Sequence, residues 1–418
     1  MKRRDFFNVL GISAAGLAAG SMIWKNGIAE AWEHSADFCF KEPFDGGIIH
    51  KRHGDPVLGV VRGSDGKERL KIRVSGIAPL NAEVRITGPD KKTIIPQRKG
   101  TEFFTELLLA DQFSEISGTC KIGEKERTIR TRPVWAKNSF KRYKFQIDDN
   151  SFFLRDIYQK QYKDLFECFY LAGLRDLHKK YGSRFTLNCF WQTPEKDFDL
   201  SRFSERYKSQ WEDNSDWLRL AFHAKQEFPD SPYENAAPAE LASDFDLVAG
   251  DLKRIAGKAY TPPAIIHWGT IRPEAYKVLW DRGSRCLSGY FVPSKLRKWS
   301  VSFQLPEEVC QYMLDHEGWM HFETGLTFSR LELVCNMIPL EMTVPILQNS
   351  VKIPGTAEVL DFLTHEQYFW PYYKRYLPDH FQRLDAALRF ATENGYKPVW
   401  HHEGFFSIPS EEKFRPVS

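Results

Sequence analysis

The chain has 418 residues, 42% of them hydrophobic and 14% aromatic, with 58 basic against 55 acidic side chains. That apolar share can build a sizeable core, and it excludes a disordered, collagen-like or disulfide-scaffold chain. A formal net charge of +3 supplies no basic field, so no nucleic-acid partner is expected.

The chain opens Lys2-Arg3-Arg4-Asp5-Phe6-Phe7, and an uncharged run of small and apolar residues follows over 10–24. That run is too short for a bilayer span, which needs about 20 residues. A basic start before a short apolar stretch reads as an export signal over residues 1–30. Two arginines, one further residue and two aromatics resemble a twin-arginine signal. The resemblance implies passage of a folded protein through the twin-arginine machinery to the periplasm or cell envelope. Seven cysteines without a CxxC pair are read mainly as small buried apolar residues.

Residues 46–135 carry short alternating runs at 57–61, 69–74, 82–86, 103–108 and 128–132. Turn clusters such as Gly63-Ser64-Asp65-Gly66 and Gly88-Pro89-Asp90 separate them. Period-2 strands at this spacing predict a small, immunoglobulin-like β-sandwich domain.

Beyond about residue 143 the period changes. Strand runs are expected at 143–147, 185–191, 218–222, 264–266, 286–291, 319–322, 359–363 and 398–400. Helices are expected at 157–181, 203–211, 239–255 (with Pro238 at the start), 273–280 and 373–394. Strands alternating with helices over residues 143–410 give the fold class: α/β, a distorted (β/α)7–8 barrel preceded by the sandwich. No GxGxxG follows the first strand, and no GxxxxGK[ST] is present, which argues against dinucleotide and P-loop chemistry.

In a βα barrel the chemistry gathers where the strands end. Here five apolar runs end in histidine or aspartate: Asp148-Asp149, His223, His267, His365-Glu366 and His401-His402-Glu403. That recurrence predicts a shared metal or acid–base site. His223 and Glu227 are four residues apart, which would place them on one face of a helical turn. A histidine nitrogen, a glutamate oxygen and an aspartate oxygen would suit a divalent ion.

On these residues the stretch from about 143 to 405 resembles the polysaccharide deacetylase, or NodB-like, superfamily of carbohydrate esterases. Ile147-Asp148-Asp149 matches that family's Asp-Asp strand end, which implies Asp148 as catalytic base and Asp149 as a metal ligand. The family's His-Ser/Thr-x-x-His motif falls on His223 to Glu227, with glutamate in place of the second histidine. Both are then implied as ligands. Leu363-Thr364-His365 matches the family's late Leu-x-His, which implies His365 as general acid.

The expectation is a metal-dependent hydrolase that removes an acyl group from a carbohydrate, with zinc as the first choice of ion. Possible site-lining residues are His267, Trp191, Trp268, Glu366, Tyr368 and His402. Two alternatives stay open. One is a glycoside hydrolase on a related barrel, pairing Asp148 with Glu366 or Glu403 at roughly 5–10 Å without a metal. The other is a non-catalytic, carbohydrate-binding exported protein.

Overall fold

The computed structural model describes residues 38–295 and 298–406, so the expected export signal lies outside the described residues. The chain divides into two compact units. Among the described residues no helix is long and apolar enough to cross a membrane.

The first unit is all β. One antiparallel sheet is built on the long strand Glu68–Ile77, which pairs with Glu102–Leu109 along one edge. Cys39–Glu42 and Val57–Arg62 share its other edge end to end. A second antiparallel sheet runs in the order Lys125–Thr131, Ile116–Ile122, Glu83–Thr87, Thr93–Ile94. The apolar positions of both sheets form one core, including Leu70, Ile72, Val74, Ile86, Phe103, Leu109, Ile116 and Cys120. That is the packing of a β-sandwich. This unit begins before residue 46, with Cys39–Glu42, and it also takes in Val292–Ser300, which holds a short hairpin.

The second unit, Asn138–Phe291 with the chain from Val301 onward, is mixed α/β. Its six-stranded sheet is wholly parallel. The central strand Arg142–Asn150 pairs with Val359–His365 along one edge. Along the other edge it pairs first with Lys397–Pro398 and then with Phe185–Phe190. Leu218–Ala224 lies outside Phe185–Phe190, and Leu333–Val334 outside Val359–His365. A second sheet of three strands holds Cys286–Gly289, Thr327–Arg330 and Gly318–Met320. The described strands therefore form two hydrogen-bonded sheets where one continuous ring was expected.

The central strand is buried along its whole length although every second residue is polar. Tyr143, Phe145 and Ile147 fill one face. Arg142, Lys144, Gln146 and Asp148 form a polar column on the other, since side chains alternate along a strand. Each member of the column has a partner. Lys144 donates to Ser329 Oγ at 2.8 Å and lies 3.5 Å from Asp361. Ser288 and Ser329 both donate to Asp361, at 2.6 and 2.7 Å, so this polar group bridges the two sheets. Burial opposes the Asp361 charge, but Lys144 and His401 hold its carboxyl down at about 2.

Several expected elements differ. The helix foreseen at 157–181 is two helices, Phe152–Lys160 and Phe169–Tyr181. Gln161 turns left-handed at φ 53°, and an Asp164–Glu167 capping box opens a separate short turn. The helix foreseen at 373–394 is His380–Glu393, with Pro371 and Pro378 in the turns before it. Residues 264–266 form no strand: Ala264 is a bend, and one bond reaches the neighbouring strand, Ser288 N–H to the Ala264 carbonyl.

Candidate metal centre

The site lies at the carboxyl ends of the parallel strands. In a regular strand Asp148 and Asp149 would point to opposite faces. Asp149 instead sits at φ 61°, and the pairing register with Phe185–Phe190 shifts between Ile147 and Asn150. Aspartate tolerates this left-handed conformation better than most residues, and the bulge turns its carboxylate toward Asp148's side. Asn150 fixes the bulge: its Nδ2 donates to the Asn188 carbonyl at 3.1 Å, and Tyr170 donates to its Oδ1 at 2.8 Å.

Asp149 Oδ1, His223 Nε2 and His267 Nδ1 meet at one point. The two histidine nitrogens are 3.2 Å apart, and each is 3.3 Å from the Asp149 oxygen. All three residues are buried, at 5%, 2% and 6% exposure. Ligands about 2.0–2.1 Å from a tetrahedral ion stand about 3.3–3.4 Å from one another, so the three donors fit one face of such a shell. They form the group of acidic, histidine and cysteine side chains among the described residues whose donor atoms are close enough to hold an ion.

His267 is oriented by its other nitrogen. Nε2 lies 3.0 Å from the Glu227 carbonyl oxygen, which can only accept, so Nε2 carries the proton and Nδ1 offers its lone pair to the centre. Its backbone enters a tight turn with Trp268 at φ 66° and Gly269 at φ 54°. A side chain at Gly269 would come within 2.3 Å of Val301 Cγ1. His223 leaves Nδ1 buried with no hydrogen-bond partner among the described residues, so it is the less firmly held of the two. The Phe190 ring packs on both, 5.2 Å from His223 and 4.9 Å from His267.

The charges follow from this geometry. Burial opposes the Asp149 charge, but His223 and His267 hold its carboxyl well below the usual range. Burial raises the Asp148 carboxyl well above its usual range. The Asn188 amide, donating to Oδ1 at 2.7 Å, opposes that, and Asp149 and Asp361 add to it. Burial lowers the His223 imidazole to about 4.

His365 joins the site through the sheet, where it is the register partner of Asp148. Its Nδ1 is 2.8 Å from Asn336 Oδ1, an acceptor, which places the proton on Nδ1.

Other expected residues stand elsewhere. Glu227 does not share a helical face with His223, because Leu218–Ala224 is a strand and the chain turns after it. Its Oε2 accepts from Gln367 at 3.2 Å, and its main chain rather than its side chain serves the centre. Glu366 is a helix cap: each carboxylate oxygen accepts two N–H groups, from Ser151, Phe152, Phe153 and Trp370. Glu403 pairs with Arg184. Neither glutamate is placed as a partner for Asp148.

His401 lies 3.3 Å from Asp361, which pairs with Lys144 near the start of the central strand. Burial first, and then the charges of Arg219, His401 and Arg184, lower the His402 imidazole to about 4. The cause of their position is Lys397–Pro398, which pairs only with Arg142 and Tyr143, at the end of the strand away from Asp148. Trp191 donates to Asp251 at 2.8 Å, Trp268 adjoins His267 with ring centroids 6.0 Å apart, and Tyr368 is buried. His267, foreseen among the strand-end residues and as lining but not as a named ligand, takes the place in the donor group given to Glu227. The signal was present as the apolar run Ile265-Ile266 before it. Asn188, Asn336 and Gln367 carried no signal of their own.

No family model matches the chain, and no curated protein matches it. Among solved structures, a β-glucuronidase from Parabacteroides merdae shares 11% identity at a TM-score of 0.18, over 73% of this chain and 46% of that one. A pullulanase from Bacillus acidopullulyticus shares 11% at 0.17, over 74% and 41%. A sialyltransferase from Photobacterium damsela shares 11% at 0.13, over 36% and 33%. The chain thus spans less than half the length of each, and likeness at this level assigns neither fold nor activity.

Proposed function

We propose that this chain is a metal-dependent hydrolase acting on an acyl group of a carbohydrate, on a distorted βα-barrel frame. The observation that carries the reading is the meeting of Asp149 Oδ1, His223 Nε2 and His267 Nδ1 within 3.2–3.3 Å of one another, with a buried carboxyl alongside. Two imidazoles and one carboxylate are donors suited to zinc and to similar divalent ions. A divalent ion held by these three would polarise an acyl carbonyl and acidify a water.

The chain's own residues divide the remaining work. Asp148, 4.0 Å from His223 Nε2 and bonded by Asn188, would in its ionised form take a proton at its carboxylate. His365 keeps one proton on Nδ1, bonded to Asn336, and as the imidazolium it carries a second on Nε2, which it would give to a leaving amine or alkoxide, returning to the neutral Nδ1–H form. Phe190 packs against both histidine rings and helps to hold their orientation. The choice of a carbohydrate ester or amide as substrate rests on the deacetylase-like motifs at Asp148-Asp149 and Leu363-Thr364-His365.

The test is elemental analysis of the purified full chain, together with acetate release from acetylated sugar oligomers before and after chelation. One ion per chain and chelator-sensitive acetate release are expected. A chain with no ion after loading with zinc, manganese, cobalt and nickel would overturn the reading.

A further inference from the structure

We propose that Tyr372 is a stacking platform for a pyranoside ring and forms a sugar subsite with Arg155, Glu195 and Asp197. This deepens the hydrolase reading and rests on it for the choice of a carbohydrate as ligand. Of the aromatic residues foreseen as site-lining, Tyr368 is buried, the Trp191 indole is bonded to Asp251, and Trp268 is part-buried beside His267.

Tyr372 is 60% exposed, yet its ring is fixed from several sides. Phe152 and Trp370 each pack against it, both with centroids 5.5 Å away. Its hydroxyl oxygen accepts from Arg155 Nη2 at 3.2 Å. Arg155 is itself held by Glu195 at 3.0 Å and Asp197 at 3.2 Å, over the Phe152 ring. Trp370 is buried behind, with Phe169 edge-on at 4.7 Å and its indole N–H on Glu366. An exposed aromatic normally keeps some rotational freedom. Here Phe152, Trp370 and Arg155 hold the ring in one place, and a contact organised in advance gains affinity.

The surroundings select the ligand. The Arg155 guanidinium lies over part of the Tyr372 ring, 5.8 Å from its centroid, and the exposed remainder of the ring, with two part-exposed carboxylates nearby, matches a sugar ring, with its C–H face and its rim of hydroxyls that both donate and accept. A protein partner would call for a wider apolar patch. Two carboxylates disfavour a phosphate or another anion.

The location ties the platform to the centre. Phe152 begins the helix that follows Asp149, and Tyr372 lies on the loop that follows His365. Glu366 bonds those two segments together.

The test is calorimetric titration of the full chain with soluble hexamers of N-acetylglucosamine, xylose and glucose. At least one hexamer should bind. Tyr372→Ala should weaken that binding about three- to tenfold, the scale of one aromatic contact. Tyr372→Phe and Tyr372→Trp should retain it. Tyr372→Ala should melt with the parent, because the ring is largely exposed. No binding of any hexamer to the parent, or parent-like binding by Tyr372→Ala, overturns the subsite. If the parent holds no ion but binding still depends on Tyr372, the subsite stands and the hydrolase reading falls. If the parent holds its ion and Tyr372→Ala binds normally, the reverse is true.

Discussion

Asp148 and Asp149 are neighbours in sequence, yet both direct a carboxylate at the same atom. His223 Nε2 is 3.3 Å from Asp149 and 4.0 Å from Asp148. The left-handed turn at Asp149 makes this possible, and it separates the two acids in character. Asp149 is charged by its histidines, while Asp148 is pushed toward the neutral form by burial and by the charge beside it. Two adjacent carboxyls with displaced pKa values are a common basis for dividing ligand and proton-transfer roles.

The ligand assignment separates His267 from Glu227. Asp149→Ala, His223→Ala and His267→Ala should each lose the ion, because each removes one of three donors. Glu227→Gln should keep it, because Glu227 serves through its carbonyl oxygen. Metal content after dialysis decides the matter. Loss of the ion from Glu227→Gln as complete as from Asp149→Ala would return Glu227 to the ligand set.

Asp148→Asn should retain the ion and fold normally, since the amide has nearly the carboxylate's shape. It cannot take up a proton, so turnover should fall on the order of 10²–10⁴-fold. Initial rates at matched metal occupancy measure this. An undiminished rate would remove Asp148 from proton transfer.

Much of this was legible in the strand ends. The run 143–147 marks a strand, found as Arg142–Asn150, and apolar runs ending in histidine or aspartate point to one end of the sheet. Periodicity could not show that Asp149 would reverse its backbone, because that depends on the Asn150 contacts with Asn188 and Tyr170. Nor could spacing choose between Glu227 and His267. The choice depends on whether residues 223–227 coil or extend, and pairing with Phe185–Phe190 keeps His223 in a strand. The helix Leu340–Ser350 went unforeseen because Pro345 stands inside it.

Glu366→Gln tests the cap. Both oxygens of the carboxylate accept two N–H groups, so the amide must set an NH₂ against donors. Each buried donor left without an acceptor costs about 1–3 kcal/mol. Thermal unfolding should show a drop of that order. An unchanged melting temperature would mean that the cap contributes little.

Glu317 gives the pH dependence a sign. Burial pushes its carboxyl up to about 7, with Arg142, the Val359 N–H and Lys144 opposing. A raised folded-state pKa means that the stabilisation is complete below about 4.5 and is lost as pH rises through 7. The span corresponds to about 3 kcal/mol at most. The urea midpoint of the parent should therefore fall between pH 5 and pH 8, and Glu317→Gln should flatten that fall. An equal fall in both proteins would place its origin in other groups.

Arg142 opens the central strand, and its guanidinium is fully buried. Its acceptors include the carbonyl oxygens of Gly404, 262 residues further on, and of Phe405. Lys397–Pro398 also fills the part of that strand's edge which Phe185–Phe190 leaves open. A chain emerging from the ribosome thus carries a buried-to-be cation and an unpaired strand edge until residues 397–405 are made. The second unit cannot close progressively from its amino-terminal side. Its closing waits for residues 397–405, and a chain cut short before residue 397 keeps an open edge of the kind on which chains aggregate.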